Sequence, residues 1–179
     1  MKRFRVALVL ASTFAARSAD AQVRYDAAAL AGYSQRFVAG NAAEGGALTL
    51  DAHVALIPLV RIGAWASAEA SDVATSGELR GIFSGGARVK ILAPWPRGVW
   101  HAWIATGFGY DALATRDAGG GGFFEVPAIV GASYRVRRPF VFVMELGAHV
   151  GFGFWGSYYD AHKDADVIAL TLSFGFGVD

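Results

Sequence analysis

From residue 28 onward the chain alternates large apolar side chains with small or polar ones, and this period of two limits the possible folds more than any other feature. Over 166–178, Ile168, Leu170, Leu172, Phe174, Phe176 and Val178 fall on one face, and Thr171, Ser173, Gly175 and Gly177 on the other. Over 140–154 the apolar face runs from Phe140 through Met144, Leu146 and Val150 to Phe152 and Phe154, against Glu145, Gly147, His149, Gly151 and Gly153. The stretches 123–137 and 78–92 repeat the pattern, with Glu125 and Arg135 in one, and Arg80, Arg88 and Lys90 in the other, opposite the apolar face. Successive strand residues point to opposite sides of a sheet, so these stretches predict two-faced strands.

The character of the two faces separates a membrane barrel from a soluble one. A soluble barrel turns apolar groups inward and needs charge outside. Here charged residues are only 17% of the chain, against about 25% in an average globular protein. The small face, glycine-rich with isolated charges, suits a narrow interior, and the large apolar face suits lipid. No uninterrupted apolar run reaches the length of about 18 residues that a membrane-spanning helix needs.

Eight such segments are predicted, at 28–36, 47–56, 60–71, 78–92, 99–111, 123–137, 140–154 and 166–178. The connections alternate in length. Those at 57–59, 93–98 and 138–139 contain proline and are tight. Those at 41–46, 116–122 and 155–164 are longer, and 72–77 is intermediate. Short turns facing the periplasm and longer loops facing outside are the asymmetry of an outer-membrane barrel. The expected fold class is all-β, an eight-stranded antiparallel up-and-down transmembrane β-barrel over 22–179.

The N-terminus predicts export. Lys2, Arg3 and Arg5 precede an apolar stretch over 6–16, and Ala19-Asp20-Ala21 forms a cleavage site, so 1–21 reads as a signal peptide. Residues 1–21 hold four basic groups and one acid, leaving 12 basic and 14 acidic residues and changing the net charge from +1 to −2. Such a chain has no electrostatic footprint for nucleic acid, which is not expected as a partner. No cysteine is present, so no disulfide is expected.

Thirteen polar or ionisable residues share the inward face. The candidate charge network is Arg61, Glu69, Arg80, Arg88, Lys90, Glu125, Arg135 and Glu145, accompanied by Asp51, His53, Ser67, His101 and His149. Burying so many charges requires pairing or water. Folding the 72–77 hairpin symmetrically sets Glu69 across from Arg80. The same operation on 93–98 sets Lys90 across from His101, and Arg88 across from Trp103 in a cation–π contact. Glu125 and Glu145 are expected to reach Arg61, Arg88 or Arg135 across the lumen. Such a network keeps a small barrel filled; the competing reading is a charged water or ion path. Aromatic residues predict two interfacial belts: Trp95, Trp100, Tyr134 and Phe140 near the short turns, and Phe37, Tyr110, Phe124, Phe154, Trp155, Tyr158 and Tyr159 near the long loops.

The signal peptide, the eight alternating segments and the final IALTLSFGFGV over 168–178 resemble the small outer-membrane barrels of the OmpA transmembrane-domain and OmpX type. The resemblance covers 28–178 and rests on architecture. Proteins of that kind usually end in an aromatic residue read by the barrel-assembly machinery, whereas Val178 and Asp179 follow Phe176 here. It implies a non-enzymatic integral outer-membrane protein with a role in envelope structure or surface contact. Its expected partners are outer-membrane lipid, lipopolysaccharide and, during biogenesis, the assembly machinery, and it is expected to be a monomer.

Two alternatives remain at this point. A lipid A-modifying enzyme, deacylase or acyltransferase, needs a Ser-His pair and an acid at the outer rim; Ser67, Glu69 and His149 lie inward in the outer half, without a His-x-Ser motif. A secreted lipocalin-like barrel needs an empty apolar lumen. The segment 160–166 offers Asp160, His162, Asp164 and Asp166 but lacks the glycine and glutamate of a calcium loop. The glycines 119–122 precede no helix or Lys-Ser/Thr and make no phosphate loop. No cofactor, metal or catalytic residue is expected.

Overall fold

A computed structural model describes residues 24–38, 41–73, 79–94, 98–114, 121–155 and 167–179. The expected signal peptide, Trp95, Tyr158, Tyr159 and the acidic segment 160–166 lie outside the described residues.

Eight strands follow one another: β1 (Tyr25–Val38), β2 (Asn41–Ile57), β3 (Val60–Val73), β4 (Leu79–Leu92), β5 (Trp100–Ala114), β6 (Gly121–Arg137), β7 (Phe140–Trp155) and β8 (Val167–Val178). Each pairs antiparallel with the next, and β8 returns to β1 with Val178 opposite Ala27, closing the barrel. Closure satisfies every strand edge internally, the condition for crossing a bilayer with strands.

The outward face is apolar. Leu48, Leu50, Phe83, Ile104, Val130, Leu146 and Phe176 are all more than half exposed. The polar residues Asp51, His53, Glu69, Arg88, Lys90, Glu125 and Glu145 are buried inside. This is the inverse of a soluble barrel with an apolar lumen and removes the lipocalin-like alternative. One belt gathers Trp100, Tyr134 and Phe140, with Trp100 and Tyr134 rings 5.0 Å apart. At the other rim Trp155 Nε1 donates to Tyr110 Oη at 2.9 Å, and Phe37 and Phe124 are exposed nearby.

Three local expectations change. Residues 41–46, expected as a long loop, form the start of β2: Asn41 pairs with Val38, and Gly45 and Gly46 pair with Ser34 and Tyr33. The run is poor in strand-forming side chains, but a Cβ at Gly45 would collide with the Ala70 backbone of β3, so a residue without a side chain fits there. Two residues therefore separate β1 from β2 in the sequence.

Phe154 was expected outside and instead is turned inward, 3% exposed, stacking on Phe123 with centroids 6.1 Å apart. Gly153 has φ +66°, and two residues of β7 oppose Phe123 between the pairs Gly122–Trp155 and Phe124–Phe152. This glycine bulge shifts the alternation by one residue.

The hairpin registers also differ from symmetric folding. Glu69 stands opposite Ile82, and Arg80 opposite Ser71. Lys90 stands opposite Ala105, and Arg88 opposite Gly107. A closed barrel needs tilted, staggered strands, and β5 accordingly runs past the end of β4, so that Trp100 pairs only with Tyr134 of β6. The slips are of two and four residues, and an even slip leaves every side chain on its original face. Inward residues stay inward while their neighbours change.

Gly131 gives a direct test of lumen packing. It lies opposite Trp103, and a Cβ would collide with the indole Nε1 and Cε2. Gly131→Ala is expected to cost about 1–3 kcal/mol by overpacking, measured by urea unfolding in detergent. Unchanged stability would show that the indole does not rest there.

Candidate functional site: the charged lumen

The inward charges are stacked along the barrel in connected groups. Nearest the short turns, Arg135 donates to Asp179 at 2.8 Å. Above it Asp26 of β1 gathers three strands: Lys90 donates to it at 3.0 Å, His53 Nδ1 is hydrogen-bonded at 2.9 Å, and Arg61 donates through a short contact. The next group centres on Arg88, which reaches Asp51 at 3.1 Å and Glu145 at 3.4 Å. Indole faces back both cations, with Lys90 Nζ 4.7 Å from the Trp103 ring and the Arg88 guanidinium 5.7 Å from Trp65.

Two further groups occupy the outer half. His149 Nδ1 lies 3.3 Å from the Glu125 carboxylate and its Nε2 3.3 Å from Thr171 Oγ1. Arg36 donates to Glu69 at 3.2 Å and to Asp111 at 3.1 Å, with the Phe123 ring under its guanidinium. Among the described residues an apolar layer of Val38, Ile82, Leu113, Phe123, Phe154 and Val167 then covers the lumen. A second apolar cluster built on Leu30, Trp103, Ile129, Val141 and Val143 fills the inner half of the barrel on the β5–β7 side.

The candidate residues are thus brought together in part, with different partners. Glu69 binds Arg36, while Arg80 stands two pairs nearer the outer rim. The cation–π partner of Trp103 is Lys90, and that of Arg88 is Trp65. Of the partners expected for the two glutamates, Glu145 takes Arg88, whereas Glu125 binds His149. Arg61 and Arg135 use Asp26 and Asp179.

Sequence reading missed Asp26, Arg36 and Asp111. All three continue the inward alternation of their strands, Asp26 and Arg36 with Leu30 and Ser34, and Asp111 with Trp103. The signal was present but lay at or beyond the expected strand ends, where parity was not followed.

The space left is small. A cavity of about 40 Å³ sits among Glu69, Arg88, Glu125, Glu145 and His149, and one of about 30 Å³ beside Asp26, Lys90 and Trp103. Each holds a few waters at most. Asp26, Asp51 and His53 cluster closely enough to ligate a cation, but Arg61, Lys90 and Arg88 already occupy their carboxylates.

An apolar exterior, paired charges within and eight up-and-down strands can be compared with solved folds. Neisserial surface protein A aligns over 86% of this chain and 96% of its own, at 13% identity and a TM-score of 0.70. The fold is that of a small outer-membrane β-barrel. Ail of Yersinia pestis aligns at 11% identity, 86% and 99% coverage and a TM-score of 0.46. The N-terminal barrel domain of Pseudomonas aeruginosa OprF aligns at 11% identity, 86% and 99% coverage and a TM-score of 0.40. No protein-family model matches the sequence, and no curated protein does.

Proposed function

We propose that this protein is a monomeric, non-catalytic integral protein of the outer membrane, a sealed barrel that serves envelope structure or surface contact through its outer connections. The observation that carries this reading is the filled lumen. Ion-paired groups from Asp26 up to Arg36 span the interior, and the layer around Phe123 and Phe154 covers them. The apolar exterior fits membrane lipid, with lipopolysaccharide in the outer leaflet, and the assembly machinery as the folding partner.

The chemistry nearest to catalysis is the line Glu125, His149, Thr171. It resembles an acid, a base and a hydroxyl in order. Among the described residues it faces the lumen beneath the covering apolar layer, away from an acyl chain in the membrane. The lipid A-modifying alternative is therefore disfavoured.

Reconstitution tests the reading. The purified monomer in planar bilayers should give no sustained porin-sized conductance, and liposomes containing it should take up no small sugars. Brief small currents agree with rearranging salt bridges. Lipid A incubated with the protein should keep its acyl-chain mass. Stable large conductance would overturn the sealed lumen, and an altered lipid A mass would overturn the non-catalytic assignment.

A further inference from the structure

The short-turn mouth of the barrel differs in charge from the rest of the lumen. It opens into a cavity of about 520 Å³, far larger than those higher up. Arg24, Arg61, Arg135 and Arg138 line it, with His101 and Tyr25. They come from different places in the chain: the approach to β1, β3, β6, the β6–β7 turn and β5. Asp179 supplies the one acidic side chain in the lining, and Arg135 already uses it. Arg61 is committed to Asp26 above.

Two features set this cavity apart from an ordinary solvated rim. Arg24 and Arg138 add two guanidinium groups to a space whose other two arginines are already ion-paired, and this excess of positive charge favours an entering counter-charge. Polar atoms are also left over: the donors Arg61 Nε and Arg135 Nε, and His101 Nε2, which donates or accepts according to tautomer, are buried without a hydrogen-bond partner among the described residues. Buried polar atoms in that state are costly. At the deep end the cavity meets the small void beneath Lys90, with Arg61, His101 and Asp179 shared between the two.

We infer that this basin is a binding site for a phosphate-type oxyanion. Guanidinium forks match the oxygens of a phosphate or diphosphate and bind them through paired charge-assisted hydrogen bonds. Arg61, Arg135 and His101 form the floor of the site, and Arg24 and Arg138 form its rim. The belt of Trp100, Tyr134 and Phe140 holds this rim at headgroup level. The phosphate can come from a soluble periplasmic anion or from an anionic phospholipid headgroup, which carry the same chemistry.

The protein folded in zwitterionic detergent is titrated calorimetrically with inorganic pyrophosphate at low salt. In parallel, barrels extracted from phosphatidylcholine nanodiscs, with and without phosphatidylglycerol, are weighed intact for retained lipid. The test variant is Arg24→Gln with Arg138→Gln. Both side chains are exposed, so the heat-modifiable gel shift of the folded barrel should persist. Arg116→Gln with Lys163→Gln, in the sequence between β5 and β6 and between β7 and β8, removes two positive charges as a control. Saturable one-to-one pyrophosphate binding, weakened about tenfold or more in the double variant and unchanged in the control, supports the site with a soluble ligand. Retention of one phosphatidylglycerol, lost in the double variant, supports it with a lipid ligand. Absence of both, or binding equal in the double variant and the parent, overturns it.

Discussion

Leu146→Arg is expected to lower the folding stability of the barrel by about 2–4 kcal/mol, the cost of a cation on the lipid face near the midplane. Leu146 is 60% exposed, halfway along β7, opposite Val130 on one side and Leu172 on the other. The outward residues on both sides of it along β7, Met144 and Val150 among them, are apolar. In water an arginine at so exposed a position costs little, whereas in hydrocarbon it must snorkel or draw water inward. Urea unfolding in bilayers, read by the heat-modifiable gel shift, measures the difference. If the variant folds as well as the parent, the face does not contact lipid and the membrane reading fails.

The fold was legible because lipid sharpens the alternation. In β8, Ile168, Leu170, Leu172, Phe174 and Phe176 face out without interruption, so the period cannot be confused with that of a helix. The partners of the lumen charges were less legible. Face depends only on odd or even position, but partner identity depends on stagger, which the barrel sets globally. Lys90 and Arg88 were placed on the right face and four residues from their strand neighbours. Phe154 shows the opposite case, in which one local backbone conformation at Gly153 reverses a face that simple alternation assigns outward. Asp26, Arg36 and Asp111 escaped because strand ends fade into turn-like composition, although the inward parity continued through them.

Arg36 carries the largest expected effect inside the lumen. It is 4% exposed and is held by two carboxylates from different strands, Glu69 of β3 at 3.2 Å and Asp111 of β5 at 3.1 Å. Asp111 is fully buried, and the apolar layer with Phe123 lies against the guanidinium. Arg36→Met keeps much of the side-chain volume and removes the cation. Two acids then face one another in a closed space, and a loss of about 3–5 kcal/mol is expected for breaking a buried ion pair from one side. Adding Glu69→Gln and Asp111→Asn to Arg36→Met should recover most of that loss, because the orphaned charges are gone. The measurement is a mutant cycle of urea unfolding midpoints in detergent, with the single carboxylate variants as its other corners. A cost for Arg36→Met below about 1 kcal/mol, typical of solvent-screened pairs, would mean that water reaches the group. The outer layer would then not seal the lumen, and the same protein should show measurable ion flux. Stability of this triad and tightness of the barrel are therefore expected to fail together, since both depend on excluding water from the space beneath Phe123 and Phe154.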